Sequence, residues 1–464
     1  MTVRFPVGSA ADFAAGLAQI RGENKVSTAF PAAAVEAARK AIARPFGSEH
    51  TDRTNLGFVT LDPASSTDLD QAFTIEEAGG DLILRYAIAD VAWFVRDGDP
   101  MDREAWIRGV TDYLPDGRAG LYPPLLSEGA ASLLPDGPRP AVIFTVRVGG
   151  DGATALDGVE RAIIRSRAKL AYDSATASDL PAVFDEFGRR IAAAEDRRGA
   201  SRVDTPEQEV VADGEGRYHL EFRPRLANED ANAAMSLATN MAVADALFNA
   251  HTGLFRIMAE PDQRRVQRLR FTAKALGLSW PGDADLRAFQ HTLDASDPTH
   301  AAFLFAVRRA AGGADYAPYV SGVTPWHSAM AATYCHATAP LRRLADRYVI
   351  SAALAVGNAR PVPDETASAF VRLPEAMDRA ESRSSRVERS VIDLVETVSL
   401  LGREGTVFDA VVTDEDDRGA RIQLCDAAVV ARVVAKKVSP GDDIRVRLVS
   451  EDVATRALTF ERVS

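Results

Sequence analysis

Asp62-Pro-Ala-Ser-Ser-Thr-Asp68-Leu-Asp70-Gln71-Ala72 is the segment of this 464-residue chain whose residue types and spacing are best suited to chemistry. Asp68 and Asp70 stand two apart, so in extended backbone their carboxylates share a face. Asp62 can fold back toward them, because Pro63, Ser65, Ser66 and Thr67 are turn formers. Carboxylates brought together repel one another unless a cation neutralises them. Oxygen ligands with room for water suit Mg²⁺, with Mn²⁺ as the alternative, and Asp62, Asp68, Asp70 and the amide oxygen of Gln71 are the candidate ligands. Such an ion activates water and absorbs charge during displacement at a phosphodiester. The competing reading is a solvated Asp-rich turn. An EF-hand is disfavoured, since no glycine stands at the sixth loop position.

The elements around this loop read as sheet. Phe58-Val59-Thr60-Leu61 precedes it and Phe73-Thr74-Ile75 follows it. From about 56 to 165 the pattern is strand-rich, with good strands at Leu82–Asp90 and Val142–Val148. Gly79-Gly80, Gly149 to Gly152 and Gly214 to Gly216 read as hairpin turns. After Asn228 the pattern becomes helical. Ala233–Ala250 carries Leu237, Met241 and Leu247 on an apolar side, with Gly253 as a C-cap. Further helices are expected near 262–276, 297–311, 341–356 and 366–400. In the last of these, Arg379, Arg383 and Arg386 form a basic stripe interleaved with Glu375, Asp378, Glu381 and Glu388. Either an ion-paired solvated face or a nucleic-acid contact accounts for that stripe.

Residues 1–50 read as a small helical domain. Ser9 and Asp12 suit a helix start, Phe13, Leu17 and Ile20 follow on one face, and Gly22 is expected to end it. A second helix opens near Pro31, carries Val35, Ala38 and Ile42, and stops before Pro45. A helix-turn-helix-like module and a packed cap both remain open. At the other end, residues 401–464 carry five short strands, with a Pro440-Gly441-Asp442 turn before the fourth. That pattern predicts an OB barrel. Arg432, Lys436, Lys437, Arg445 and Arg447 offer it a basic face, whereas Phe408 and Phe460 are its only aromatics. Single-strand binding there would lean on charge rather than stacking.

Composition narrows the class. The chain is 46% hydrophobic and 26% charged, within the ordinary range for a globular protein. No apolar run reaches membrane-spanning length, and the first residues lack a signal-peptide core. Cys335 and Cys425 stand far apart without zinc spacing, which fits a reducing cytoplasm. The net charge of −12 argues against a protein that coats duplex nonspecifically. An enzyme that threads one strand to acidic residues needs only a local positive path. No apolar seam suggests an obligate protein partner, so a monomer is expected.

A second motif lies far along the chain, in Tyr334-Cys335-His336-Ala337-Thr338-Ala339-Pro340-Leu341-Arg342-Arg343-Leu344-Ala345-Asp346. Together with the acidic loop, it resembles the ribonuclease II (RNB) family. The family pattern Tyr-x-His-x-Thr-Ser-Pro-Ile-Arg-(Arg/Lys)-Tyr-(Ala/Gly)-Asp is matched at Tyr334, His336, Thr338, Pro340, Arg342, Arg343, Ala345 and Asp346. The acidic pattern Asp-x5-Asp-x-Asp-Asp-Ala is matched at Asp62, Asp68, Asp70 and Ala72. Ala87-Ile88-Ala89-Asp90 and Thr111-Asp112-Tyr113-Leu114-Pro115 also look like family segments, in the expected order. The resemblance spans roughly residues 52–400, and the tail resembles an S1-type OB module.

The resemblance implies an α+β architecture: an RNB catalytic domain over 51–400 with a mixed β-sheet core and surrounding helices, then the five-stranded barrel. It implies processive 3′→5′ hydrolysis of single-stranded RNA to nucleoside 5′-monophosphates with Mg²⁺. Asp62, Asp68 and Asp70 would hold or orient the metal and its water, with Asp70 the most activity-critical acid. Arg342 would clamp the phosphate next to the scissile bond, with Arg343, Lys436 and Lys437 also on the RNA. Tyr113 would stack on a terminal base, a buried core tyrosine being the alternative, and His336 reads as packing rather than a base.

Departures from the family pattern matter as well. Gln71 stands where the family has a fourth acid, and Asn232, Ala233 and Ala234 stand where it often has a Glu-Glu pair. The second bears on ribose contact and on the choice of RNA over DNA. Fifty helical residues cannot hold the two cold-shock OB domains that family members commonly carry upstream. Two other readings stay open: a catalytically weak relative that binds RNA 3′ ends, and an RNA-binding adaptor using its OB module.

Overall fold

The structure is a computed structural model that describes residues 2–4, 10–200, 207–212, 218–223, 226–290, 292–294, 297–310, 313–416, 419–425, 429–435 and 438–463. Ser9, the Gly214–Gly216 turn, Lys436 and Lys437 lie outside the described residues.

A five-stranded sheet organises the middle of the chain, in the order Thr51–Asp52, Thr154–Ile164, Arg139–Val148, Asp81–Ala89, Gln71–Ala78. The pairings are antiparallel except the first, which is parallel. Asp81–Ala89 reads as a nearly unbroken apolar run because both its faces are covered, and Leu82, Leu84, Tyr86 and Ile88 are fully buried. Gly79 and Gly80 both take positive φ (62° and 96°) in the two-residue turn that joins it to Gln71–Ala78. Two consecutive left-handed residues are what a tight type I′ hairpin needs, so the glycines set the register of Gln71 opposite Ile88.

The helices Ala227–Asn249 and Leu344–Gly357 share one core with this sheet. The first starts at 227, earlier than its apolar periodicity suggests, and ends before Gly253. His251 takes the left-handed position (φ 56°), and Thr252 N bonds back to Leu247 O. Asp364–Ser399 is a single long helix.

The N-terminal helices run Ala10–Asn24 and Ala32–Ile42. Gly22 does not stop the first; the turn falls at Lys25, with φ 54°. Phe13, Leu17 and Ile20 pack on Val387, Val391 and Leu394 of the long helix. The second helix buries Ala34, Ala38 and Ala41 in the main core, a face rotated by about one residue from the expected Val35, Ala38 and Ile42. Small alanines allow that close approach. Each helix thus serves as a cap on a different neighbour.

The C-terminal strands Val407–Asp416, Gly419–Leu424, Val430–Val434, Asp443–Asp452 and Ala457–Val463 close into a barrel in the order first, second, third, fifth, fourth. The expected OB topology is found. Phe408 and Phe460 are both buried and pack edge to face, 6.2 Å between centroids, so neither is a stacking platform. Of the basic stripe on the long helix, Arg379 pairs with Glu375 at 2.5 Å, and Arg383 reaches Asp112 and the carbonyl of Arg108. Arg386 is exposed.

Candidate active site

The acidic loop is held from below by a segment that sequence reasoning passed over. Leu69 is fully buried between the flanking carboxylates and anchors the loop. Its N–H donates to Ser132 Oγ (2.9 Å), Ser132 Oγ donates to Thr67 O (2.7 Å), and Leu133 N donates to Leu69 O (3.0 Å). At the loop's start, Thr60–Asp62 pairs in parallel with Lys169–Ala171, and Ser66 N bonds Pro63 O to close the turn. Polar turn residues satisfied in this way keep Asp62, Asp68 and Asp70 on one side.

The second motif meets the first directly. Asp70 is buried and accepts from Leu341 N (2.7 Å), while Arg342 Nε lies 3.3 Å from its second oxygen. The Arg342 side chain is 46% exposed with Nε beside Asp70, and its guanidinium has further N–H groups to offer a phosphate. Two backbone bonds clip this loop to the 109–113 segment: Thr111 N to Arg342 O (3.0 Å) and Leu344 N to Gly109 O (2.9 Å). Tyr113 is thereby placed at the acids, its hydroxyl donating to Asp68 Oδ2 at 2.9 Å. The residue is 53% exposed, so it is not a core tyrosine.

The three carboxylates do not close on one point. Among the described residues, no three His, Cys, Asp or Glu side chains are disposed to hold an ion by themselves. Arg118, which sequence reasoning missed, ion-pairs with Asp68 and also donates to Thr67 Oγ1 (2.6 Å). Gln71 is not a free ligand either. Its oxygen accepts from Tyr86 Oη (2.5 Å) and its nitrogen donates to Thr338 O (2.7 Å), so the expected metal contact is corrected by its protein partners.

What remains is Asp62 and Asp70, both facing Arg342. Loss of water pushes Asp62 up to about 7 and Asp70 up to about 8, despite the opposing pull of Arg342. Carboxylates so short of positive charge fit a hard divalent cation, and one or two of them with water and substrate oxygens are the usual protein share of a Mg²⁺ site.

Arg343, next in sequence, has a different fate. Its guanidinium makes a fork to Asp346, at 2.9 and 2.7 Å, and Asp346 also accepts from Ala339 N (2.8 Å). The expectation that Arg343 contacts RNA is thus replaced by a clamp on the turn that aims Arg342. Asp346 is fully buried, so removing it strands a largely buried guanidinium. Asp346→Ala is expected to lower stability by about 3–5 kcal/mol, read as the shift of the urea midpoint at unchanged slope.

His336 is held by Tyr316, 2.9 Å from Nδ1 to Oη, in a cluster with Tyr334 and the buried His327. Burial, with Arg343 nearby, holds His336 well below the usual imidazole range, and burial with Arg256 pushes His327 down to about 4. The unfolded chain therefore takes up protons near pH 6.5 that the fold refuses. The stability from these neutral imidazoles is fully present above pH 6.5 and is lost as pH falls toward 4. Thermal unfolding across pH 7 to 4 checks this, and His327→Gln is expected to flatten the slope.

Arg118 had a readable signal. Leu114-Pro115-Asp116-Gly117 is a turn sequence, and the hairpin register sets Arg118 opposite Tyr113. Lys169 and Tyr172 lie near Asp62, with Lys169 Nζ donating to Ala64 O (2.8 Å) and Tyr172 Oη accepting from Asn232 (2.9 Å). Their approach comes from parallel pairing across about a hundred residues, which local sequence does not show.

Comparison with known proteins gives the family and the fold. The RNB domain model matches residues 50–354, and the RNase II-type exonuclease C-terminal S1 domain model matches 406–463. Ribonuclease R of Aquifex aeolicus is 29% identical over 458 residues, covering 87% of this chain and 63% of that protein. Exoribonuclease 2 of Serratia proteamaculans is 30% identical over 431 residues, covering 85% of this chain and 64% of that protein. The chain thus spans less than two thirds of the length of these relatives. The apo form of Mycoplasma genitalium RNase R superposes with a TM-score of 0.86 at 19% identity, covering 97% of this chain and 78% of that one. A structure of the same enzyme with ribose-methylated single-stranded RNA gives the same score. The matched RNB region takes in both the acidic loop and the Arg342 loop that the fold brings together, and on that ground the chain belongs to the RNB family and carries an RNase II-type S1 domain at its C-terminal end.

Proposed function

We propose that this chain is a metal-dependent 3′→5′ exoribonuclease that hydrolyses single-stranded RNA to nucleoside 5′-monophosphates. The observation that carries the reading is the meeting of buried Asp70 with half-exposed Arg342, 272 positions apart, beside the half-exposed Tyr113. In this reading Asp62 and Asp70 would hold Mg²⁺ (Mn²⁺ as the alternative), with Asp68, here ion-paired to Arg118, as the further candidate ligand. When bound, such an ion would activate water and offset the charge that develops at the phosphodiester. The chain's own groups do the rest. Arg342 presents two parallel N–H groups to a phosphate, and Tyr113 offers a face to the terminal base. A 3′ end admitted singly is the partner. Among the described residues no helix is long and apolar enough to cross a membrane. A cytoplasmic location and a monomeric state belong to the same proposal.

A 5′-labelled oligo(A) with purified protein and Mg²⁺ tests the proposal. The expected result is a ladder that collapses to short products with release of 5′-monophosphates. Intact RNA under tight binding would favour the second reading, a weak relative that holds RNA 3′ ends. The observations behind that alternative are the neutral Gln71 and the engagement of Asp68 by Arg118.

A further inference from the structure

Below the acids lies a buried network of neutral groups that the proposed chemistry leaves unexplained. Tyr86 is fully buried in the strand Asp81–Ala89, and its hydroxyl donates to Gln71 Oε1 at 2.5 Å. Gln71 Nε2 donates to Thr338 O at 2.7 Å. Ser236 Oγ lies 3.3 Å from Tyr86 Oη and donates to Thr338 Oγ1 at 3.1 Å. Asn240, also buried, donates to Tyr334 Oη (3.1 Å) and accepts from Ala337 N (2.9 Å). Three elements are thus tied at one point: the sheet hairpin, the helix Ala227–Asn249 and the loop that carries Arg342.

The orientation of the Gln71 amide follows from its partners. Thr338 O can only accept, so nitrogen faces it, and the amide oxygen is left to take the Tyr86 proton. A carboxylate at this place would set an acceptor against a carbonyl. Asp70 and Gln71 are successive residues, so their side chains leave the chain on opposite sides. Asp70 bonds Leu341 N, and Gln71 bonds Thr338 O, three residues earlier in the same loop. Two such stitches on either side of Pro340 leave the loop little freedom to slide.

We infer that Tyr86 and Gln71 are positioning residues, a phenol–amide pair that holds the Thr338–Arg342 loop in register with Asp70 and so aims Arg342. The inference rests on the proposed exonuclease activity for its kinetic consequence only. It predicts that an acid at position 71 weakens the enzyme rather than improving it, even with abundant metal.

The test uses the full chain with Tyr86→Phe and Gln71→Glu, each preserving shape. At saturating Mg²⁺ each variant is expected to lose kcat by about tenfold to a hundredfold on oligo(A), with KM nearly unchanged. Amide hydrogen exchange without RNA is expected to speed up in peptides covering 338–343 and to stay constant in the long helix 364–399. Combining the two substitutions is expected to cost no more than the worse of them, since both break one link. A Gln71→Glu enzyme as fast as the parent, or unchanged exchange at 338–343 in both variants, overturns the assignment. Should the parent chain fail to cleave RNA, the exonuclease reading falls, and the exchange measurement still decides this one.

Discussion

Replacing Asp70 by Asn should reduce kcat on single-stranded RNA by on the order of a thousandfold or more, while the protein stays folded. Asn keeps an acceptor for Leu341 N, so the 2.7 Å bond that ties the two motifs together survives. The packing around the site changes little, because the two side chains are nearly isosteric. What disappears is the negative charge that Arg342 and the proposed divalent ion would share. Metal binding therefore gives the sharper readout. A ligand present at a hundred times its Kd raises stability by about 2.7 kcal/mol. Added Mg²⁺ or Mn²⁺ should raise the Tm of the parent protein and leave that of Asp70→Asn nearly unmoved. Full cleavage by Asp70→Asn would remove this acid from the centre of the reaction.

Arg342→Ala should cost on the order of a hundredfold to a thousandfold in kcat, with the metal-induced rise in Tm retained. The side chain is 46% exposed, so its loss leaves no large cavity. Asp70 loses a cationic neighbour, which makes a bound metal ion more valuable to it rather than less. Arg342→Lys keeps the charge but not the planar fork, and should recover only part of the rate. Activity within a few-fold of the parent in Arg342→Ala, measured at saturating RNA, would sink the phosphate clamp.

These two substitutions separate the proposed catalytic pair from the structure around it, and the separation was only partly legible beforehand. The hairpin at Gly79-Gly80 and the helices near 262–276 and 366–400 stand close to where composition and period put them. So does the barrel with its Pro440-Gly441-Asp442 turn. Each depends on neighbours within a few residues. Boundaries suffered where backbone geometry chose differently, as at Lys25 and His251, which take left-handed positions in place of the expected Gly22 and Gly253. The basic stripe of the long helix is divided by its surroundings, since Arg383 is drawn to Asp112 on another element.

Sequence alone located the two motifs that the fold brings together, because both are continuous and each sits on a short segment with strong turn signals. It did not determine their partners. Arg342 and Arg343 are neighbours with the same side chain, yet one faces Asp70 and the other is locked to Asp346. Gln71 could be read as an ion ligand until Tyr86 and Thr338 were seen to occupy both ends of its amide. Asp68 meets Arg118 only because a hairpin folds over it. The physical reason is common to all three. A charge or an amide settles with whichever complementary group the packed core brings within reach, and those encounters join chain positions that local periodicity treats as unrelated.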